Sequence, residues 1–140
     1  NLASIKMKEE NTILVGTSQR SSIESCKLAV ANQVAATFKL AGAEVRHGDG
    51  YPGWAPNPDS KILKVAQESY KRLFGKEAKI KAIHAGLECG LFLTKYPHLD
   101  MISFGPTLRD VHSPNERIEI KTVELWWQHL TDLLKSIPAK

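Results

Sequence analysis

The sequence predicts a mixed α/β chain, in which a small α+β segment precedes alternating helices and strands. Three observations carry this expectation. Residues 2–46 read as a β-β-α-β run. A stretch from His47 to Pro58 holds three glycines and three prolines, too many to continue helix or sheet. Beyond it, helical and strand patterns alternate to the end, as in an α/β layer with right-handed crossovers.

From Leu2 to Lys8 apolar and polar residues alternate, with Ala3, Ile5 and Met7 on one face, the mark of a half-buried strand. Glu9-Glu10-Asn11 supplies a turn, and the β-rich run Thr12–Thr17 completes a hairpin. Ser21 or Ser22 is placed to cap a helix bearing Ile23, Cys26, Val30, Val34, Phe38 and Ala41 on one stripe, with Gly42 as its stop. Ala43–Arg46 is expected as a short strand. After the Gly/Pro-rich crossing, Asp59 or Ser60 caps a helix with Ile62, Leu63, Ala66, Tyr70 and Leu73, which Gly75 ends. Lys79–His84 is expected as a strand, Leu87–Leu93 as a short helix, and Met101–Phe104 as a buried strand. A last helix from about Lys121 carries Val123, Trp126, Trp127, Leu130, Leu133, Leu134 and Ile137.

Composition excludes several classes. With 42% hydrophobic and 24% charged residues the 140-residue chain has a soluble globular balance and is long enough for one ordinary core or two small ones. No apolar run approaches the ~20 residues of a membrane span, so no membrane partner is expected. The net charge of +4 is scattered, without the basic stripe and interleaved aromatics of a nucleic-acid binder, so no nucleic-acid partner is expected either. Cys26 and Cys89 lack metal-type spacing and read as reduced core thiols, which places the chain in the cytoplasm. The chain opens with Asn1 rather than Met, which fits a fragment or a processed chain.

The chemistry concentrates near the C-terminus. Gly105 and Pro106 break the Met101–Phe104 strand, and an irregular loop then carries His112 outward, with Pro114 and Asn115 delaying regular structure. In an open α/β sheet, ligands bind just beyond the C-terminal end of a strand. A second strand exit, Ile83-His-Ala-Gly-Leu-Glu-Cys-Gly90, sets Glu88 between Gly86 and Gly90. Taken alone, His112 is more often an ordinary loop histidine.

These two segments, with Gly50-Tyr-Pro-Gly-Trp54, resemble the C-terminal part of the Xaa-His (aminoacyl-histidine) dipeptidases, of the dinuclear zinc aminopeptidase/carboxypeptidase-like family. The resemblance runs through essentially all of the chain. It implies that residues 1–49 are the second half of a lid domain and residues 50–140 the C-terminal part of the catalytic domain. It implies a cofactor of two zinc ions, which polarise the scissile carbonyl and activate water. The His112-Ser-Pro-Asn115-Glu116 run matches the family's His-x-x-Asn-Glu setting for its last metal ligand, so His112 is expected to bind zinc.

The same resemblance assigns the remaining candidates. Asn115 and Glu116 would orient the imidazole, or else Asn115 turns the loop and Glu116 is solvated. Glu88, beside Gly86, would receive the substrate's α-ammonium, or would simply favour a helix start. Arg20, in Ser18-Gln-Arg-Ser, would clamp the substrate carboxylate with its bidentate fork. The other ligands and the general base would lie upstream, so no catalytic base is expected here. The implied activity is hydrolysis of Xaa-His dipeptides by a metallodipeptidase whose N-terminal part is the missing partner, with the 140 residues alone inactive. The rival reading is a stand-alone α/β binding or interaction module that keeps the family sequence without catalysis. A cut domain should expose apolar surface or self-associate as a homodimer through an unpaired sheet edge, whereas a self-contained module should not.

Overall fold

The computed structural model describes residues 1–48, 50–83 and 88–137. It is a mixed α/β chain with four helices and two small antiparallel sheets among the described residues, in two compact units. One comprises Asn1–Pro56 with Ala82–Pro97, the other Asn57–Lys81 with His98–Lys140.

The first unit opens with a hairpin of β1 (Leu2–Met7) and β2 (Ile13–Thr17), pairing Ile5 with Val15 and Met7 with Ile13. Glu10 and Asn11 take φ of 58° and 56°, the double left-handed turn whose twist matches two strands. The expected half-burial of β1 is not found: Ile5 is 62% and Met7 69% exposed, because no second layer covers that face among the described residues. Helix α1 (Glu24–Leu40) starts after Ile23, which has no side-chain cap. Neither Ser21 nor Ser22 is the cap; the Ser21 hydroxyl instead accepts from the Ile23 N–H at 3.1 Å in a local turn. The helix ends at Gly42 as expected, where φ of 80° suits a residue without Cβ. Its apolar stripe buries little, with Ala35 buried and Val30 47% exposed, and Cys26 is an exposed thiol rather than a core one. The short helix α3 spans Glu88–Lys95.

In the second unit, α2 (Lys61–Phe74) has well-formed ends. Ser60 is its cap and accepts from the Leu63 N–H at 3.0 Å, while Asp100 accepts from the Ile62 N–H at 3.0 Å. Two of the four orphan N–H groups of the first turn are thereby satisfied. The Ser60 hydroxyl and the Ile62 amide beside Asp100 hold its carboxyl below the usual carboxylate range. Gly75 closes the helix in the left-handed region at φ 65°. Two-residue strands β3 (Leu108–Arg109) and β4 (Arg117–Ile118) pair antiparallel just before α4 (Ile120–Ser136).

Helices α2 and α4 pack through small and polar side chains as much as through apolar ones. Ala66 and Ser69 on α2 leave room for His129 and Leu133 on α4, and all four are buried. The His129 Nε2 lies 2.9 Å from the Ala66 carbonyl, which makes it the donor, and the rings of Tyr70 and Phe104 stand 5.4 and 4.9 Å away. Ser69, fully buried, donates to the Asp132 carboxylate at 2.5 Å, and Arg72 pairs with that same carboxylate.

Residues 43–46, 79–83 and 101–104 carry no strand, against expectation. A chain segment becomes a strand only when a neighbour bonds its N–H and C=O groups, and none does so among the described residues.

The Ser69 hydroxyl, and then Arg72, hold the Asp132 carboxyl below the usual carboxylate range. A depressed folded-state value means stability that is fully present above the unfolded value of about 3.9 and is lost as pH falls through the lower folded one. Urea denaturation followed by Trp126 and Trp127 fluorescence should therefore show an acid loss of stability starting near pH 4. Asp132→Asn should remove that part of the loss and lower stability at pH 7.

Candidate functional site

The His112 loop is a hairpin loop rather than the open end of a strand. β3 and β4 hold its two ends, with Arg109 opposite Arg117 and Leu108 opposite Ile118. The ladder is tied to the start of α4. The Glu119 N–H donates to the Thr107 carbonyl at 2.9 Å, and the Thr107 N–H to the Thr122 hydroxyl at 2.8 Å. Thr122 in turn donates to the Glu119 carbonyl at 2.7 Å. These three bonds make the loop an appendage of α4.

Within the loop, Asp110 and His112 adopt φ of 50° and 63°, left-handed values that cost a non-glycine residue about 1–2 kcal/mol. Polar contacts hold them there. The Glu116 carboxylate accepts from the His112 backbone N–H at 2.9 Å, and the Ser113 hydroxyl donates to the Asp110 carbonyl at 2.7 Å. The Asn115 N–H donates to the Ser113 hydroxyl at 3.2 Å. Arg117 pairs with the Asp110 carboxylate and also donates to the Asn115 carbonyl at 3.3 Å. Arg109 pairs with Glu119 at 3.4 Å. His112 itself is exposed.

Of the other candidate residues, Glu88 lies in the first unit beside the crossing at residues 50–54. The Glu24 carboxylate accepts from the Gly53 N–H at 2.7 Å and pairs with Lys27 at 2.8 Å, while Lys27 donates to the Tyr51 carbonyl at 2.7 Å. The Lys27 ammonium and the Gly53 amide hold the Glu24 carboxyl below its usual range. Gly53 lies so close to α1 that a Cβ there would stand 2.7 Å from the Ser22 carbonyl oxygen, and one on Gly90 would stand 2.8 Å from that of Pro52. The crossing is therefore held by close backbone contacts together with Glu24 and Lys27, while Tyr51 is 56% exposed.

Glu88 is the first residue of α3, exposed, on an open groove of about 810 Å³ shared with Glu24, Lys27, Phe92 and Tyr96. Arg20 is exposed in the segment after β2. Gly86 and His84 lie outside the described residues. Within the second unit the fold brings His112, Asn115 and Glu116 together on one loop. Among the described residues no group of three or more His, Cys, Asp or Glu side chains could hold a metal. Among the described residues His112 supplies one exposed imidazole, with no neighbouring cluster of metal-ligating side chains.

Sequence reading missed three features. Glu24 and Lys27 stand three apart on a helix, a spacing that signals a pair, although their hold on the crossing does not follow from it. The Asp110–Arg117 pair depends on the β3–β4 register, and the burial of His129 depends on α2 meeting α4; neither leaves a local signal.

The chain matches the profile of Peptidase family M20/M25/M40 over residues 5–136. It is 45% identical over 131 residues to the cytosol non-specific dipeptidase of Escherichia coli (strain K12), covering 94% of this chain and 27% of that protein. The crystal structure of aminoacylhistidine dipeptidase from Vibrio alginolyticus superposes with a TM-score of 0.75 at 40% identity, covering 100% of this chain and 28% of that one. The chain thus spans little more than a quarter of the length of the relatives it matches.

Gly53→Ala should destabilise the first unit, since its new Cβ meets backbone atoms that cannot swing aside. Overpacking of this kind costs about 1–3 kcal/mol. Gly105→Ala, whose Cβ meets no described atom within 4 Å, should change stability by less than about 0.5 kcal/mol. Parallel urea melts of the two variants check this contrast.

Proposed function

The chain belongs to Peptidase family M20/M25/M40, and from that premise we propose that it is the C-terminal part of a cytoplasmic zinc dipeptidase that hydrolyses Xaa-His dipeptides. The observation that carries this reading is the superposition of the whole chain on an aminoacylhistidine dipeptidase at 40% identity. The name of the Escherichia coli relative, a non-specific dipeptidase of the cytosol, supports the compartment and dipeptide hydrolysis. No helix is long and apolar enough to cross a membrane among the described residues.

Residues 1–49 are proposed as half of a lid and residues 50–140 as the end of the catalytic domain. The exposure of Leu40 at 91% and Ile120 at 80% supports a larger parent, since a self-contained module rarely leaves so much apolar surface uncovered. Peptidases of this family are generally metal-dependent, and the metal supplies carbonyl polarisation and an activated water. This chain's own residues bind and orient. His112 offers an imidazole to one zinc, held on a loop whose backbone the Glu116 carboxylate grips. Arg20 receives the substrate's terminal carboxylate through its planar fork, and the Glu88 carboxylate, beside Gly86, which allows close backbone approach to the substrate, receives its α-ammonium. The general base and remaining ligands belong to the N-terminal part.

The test is a dipeptidase assay on the full-length protein with Xaa-His substrates, alongside the 140-residue chain alone. The full-length protein should hydrolyse them in a chelator-sensitive way, and the chain alone should not. Chelator-sensitive hydrolysis by the isolated chain would overturn the reading. In the full-length protein, Arg20→Ala should lower kcat/KM by about 10–100-fold, the value of a charge-assisted hydrogen bond. Most of that loss should appear in KM, and Lys at this position should restore little of it, because an ammonium lacks the fork.

A further inference from the structure

The geometry points to Asp110 and Arg117 as positioning residues whose ion pair closes the His112 loop and sets the backbone conformation from which its imidazole is presented. This inference rests on the reading of His112 as a metal ligand.

Left-handed backbone at two non-glycine residues within three positions relaxes unless its surroundings over-determine it. The Arg117 guanidinium reaches both ends of the loop from outside it, through the Asp110 carboxylate at its entrance and the Asn115 carbonyl at its exit, the two residues that the Ser113 hydroxyl also bridges from within. Asp110 is held a second time by Ser113, and His112 by Glu116, so each left-handed residue has its own partner inside that closure. Asp also tolerates the left-handed region better than most residues.

The ladder itself gives no reason for an arginine at position 117. It sets Arg117 directly opposite Arg109, and like charges facing each other across a strand pair are unfavourable. Arg109 is neutralised separately by Glu119, outside the loop. What accounts for Arg117 is the pair of contacts it makes to the loop. Both contacts run from one guanidinium nitrogen, Nη1, whose two N–H bonds diverge at a fixed angle in the guanidinium plane, a direction that a freely rotating ammonium does not fix.

The experiment uses the full-length dipeptidase carrying Asp110→Asn, Arg117→Ala, Arg117→Lys, His112→Ala and Arg109→Gln, each measured for zinc affinity by chelator competition, kcat/KM and melting temperature. Asp110→Asn keeps a residue that tolerates the left-handed region and removes only the charge. It and Arg117→Ala should each weaken zinc binding by 10–100-fold, the usual cost of losing a group that orients a ligand. Melting temperature should stay within about 2 °C, Arg117→Lys should recover part of the affinity, and Arg109→Gln should bind zinc as the parent does. If His112→Ala loses zinc affinity while Asp110→Asn and Arg117→Ala keep it within twofold, the positioning role is overturned and the ligand reading stands. If His112→Ala keeps its zinc affinity, the ligand reading falls and the inference with it. A loss in Asp110→Asn that tracks a fall in melting temperature would make the pair a support of the fold and would also overturn the inference.

Discussion

The carboxylate of Asp132 joins α2 to α4, and the second unit depends on that joint. It receives the hydroxyl of a fully buried serine and the guanidinium of Arg72, both from α2. Between the helices the buried apolar residues are Ala66 and Leu133, so little hydrophobic stabilisation is available there. Small side chains at Ala66 and Ser69 let the axes approach, and the approach brings His129 within reach of the Ala66 carbonyl. A ring nitrogen buried without such a partner would be costly. The polar contacts and the close approach therefore require each other.

The His112 loop inherits its position from that helix pair through a short chain of contacts. Thr107 and Thr122 bind the entering strand to the first turn of α4, and Glu119 binds the leaving one. The two-residue strands are too short to be stable alone, and these side-chain bonds substitute for length. What emerges is a loop on a rigid base, the arrangement that precise placement of one imidazole requires.

In the first unit the governing feature is close backbone approach. Gly53 and Gly90 stand where any Cβ would collide with the Ser22 or Pro52 carbonyl, and Glu24 and Lys27 bind the crossing from the start of α1. The hairpin β1–β2 contributes little burial. Its turn is closed locally by the Thr12 N–H to Glu9 carbonyl bond, with Asn11 tolerating the left-handed backbone more readily than Glu10 beside it.

Local signals were legible in the sequence wherever the physics was local. A cap at Asp59 or Ser60, of which Ser60 is the one formed, and Gly42 and Gly75 as helix ends follow from which groups within one turn can bond each other, and α4 from the spacing of its apolar residues. The family was legible too, because the long motifs around Glu88 and His112 are read residue by residue. Strands at 43–46, 79–83 and 101–104 were not decided locally, since a strand exists only through its neighbour's hydrogen bonds. The same holds for the site. His112 could be singled out by the residues around it, but its left-handed backbone, the Glu116 hold on its N–H and the Asp110–Arg117 closure come from a two-residue ladder register. Residue identity determined which chemistry the chain can offer, and tertiary contact alone decided its geometry, because contacts between distant residues leave no trace in local spacing.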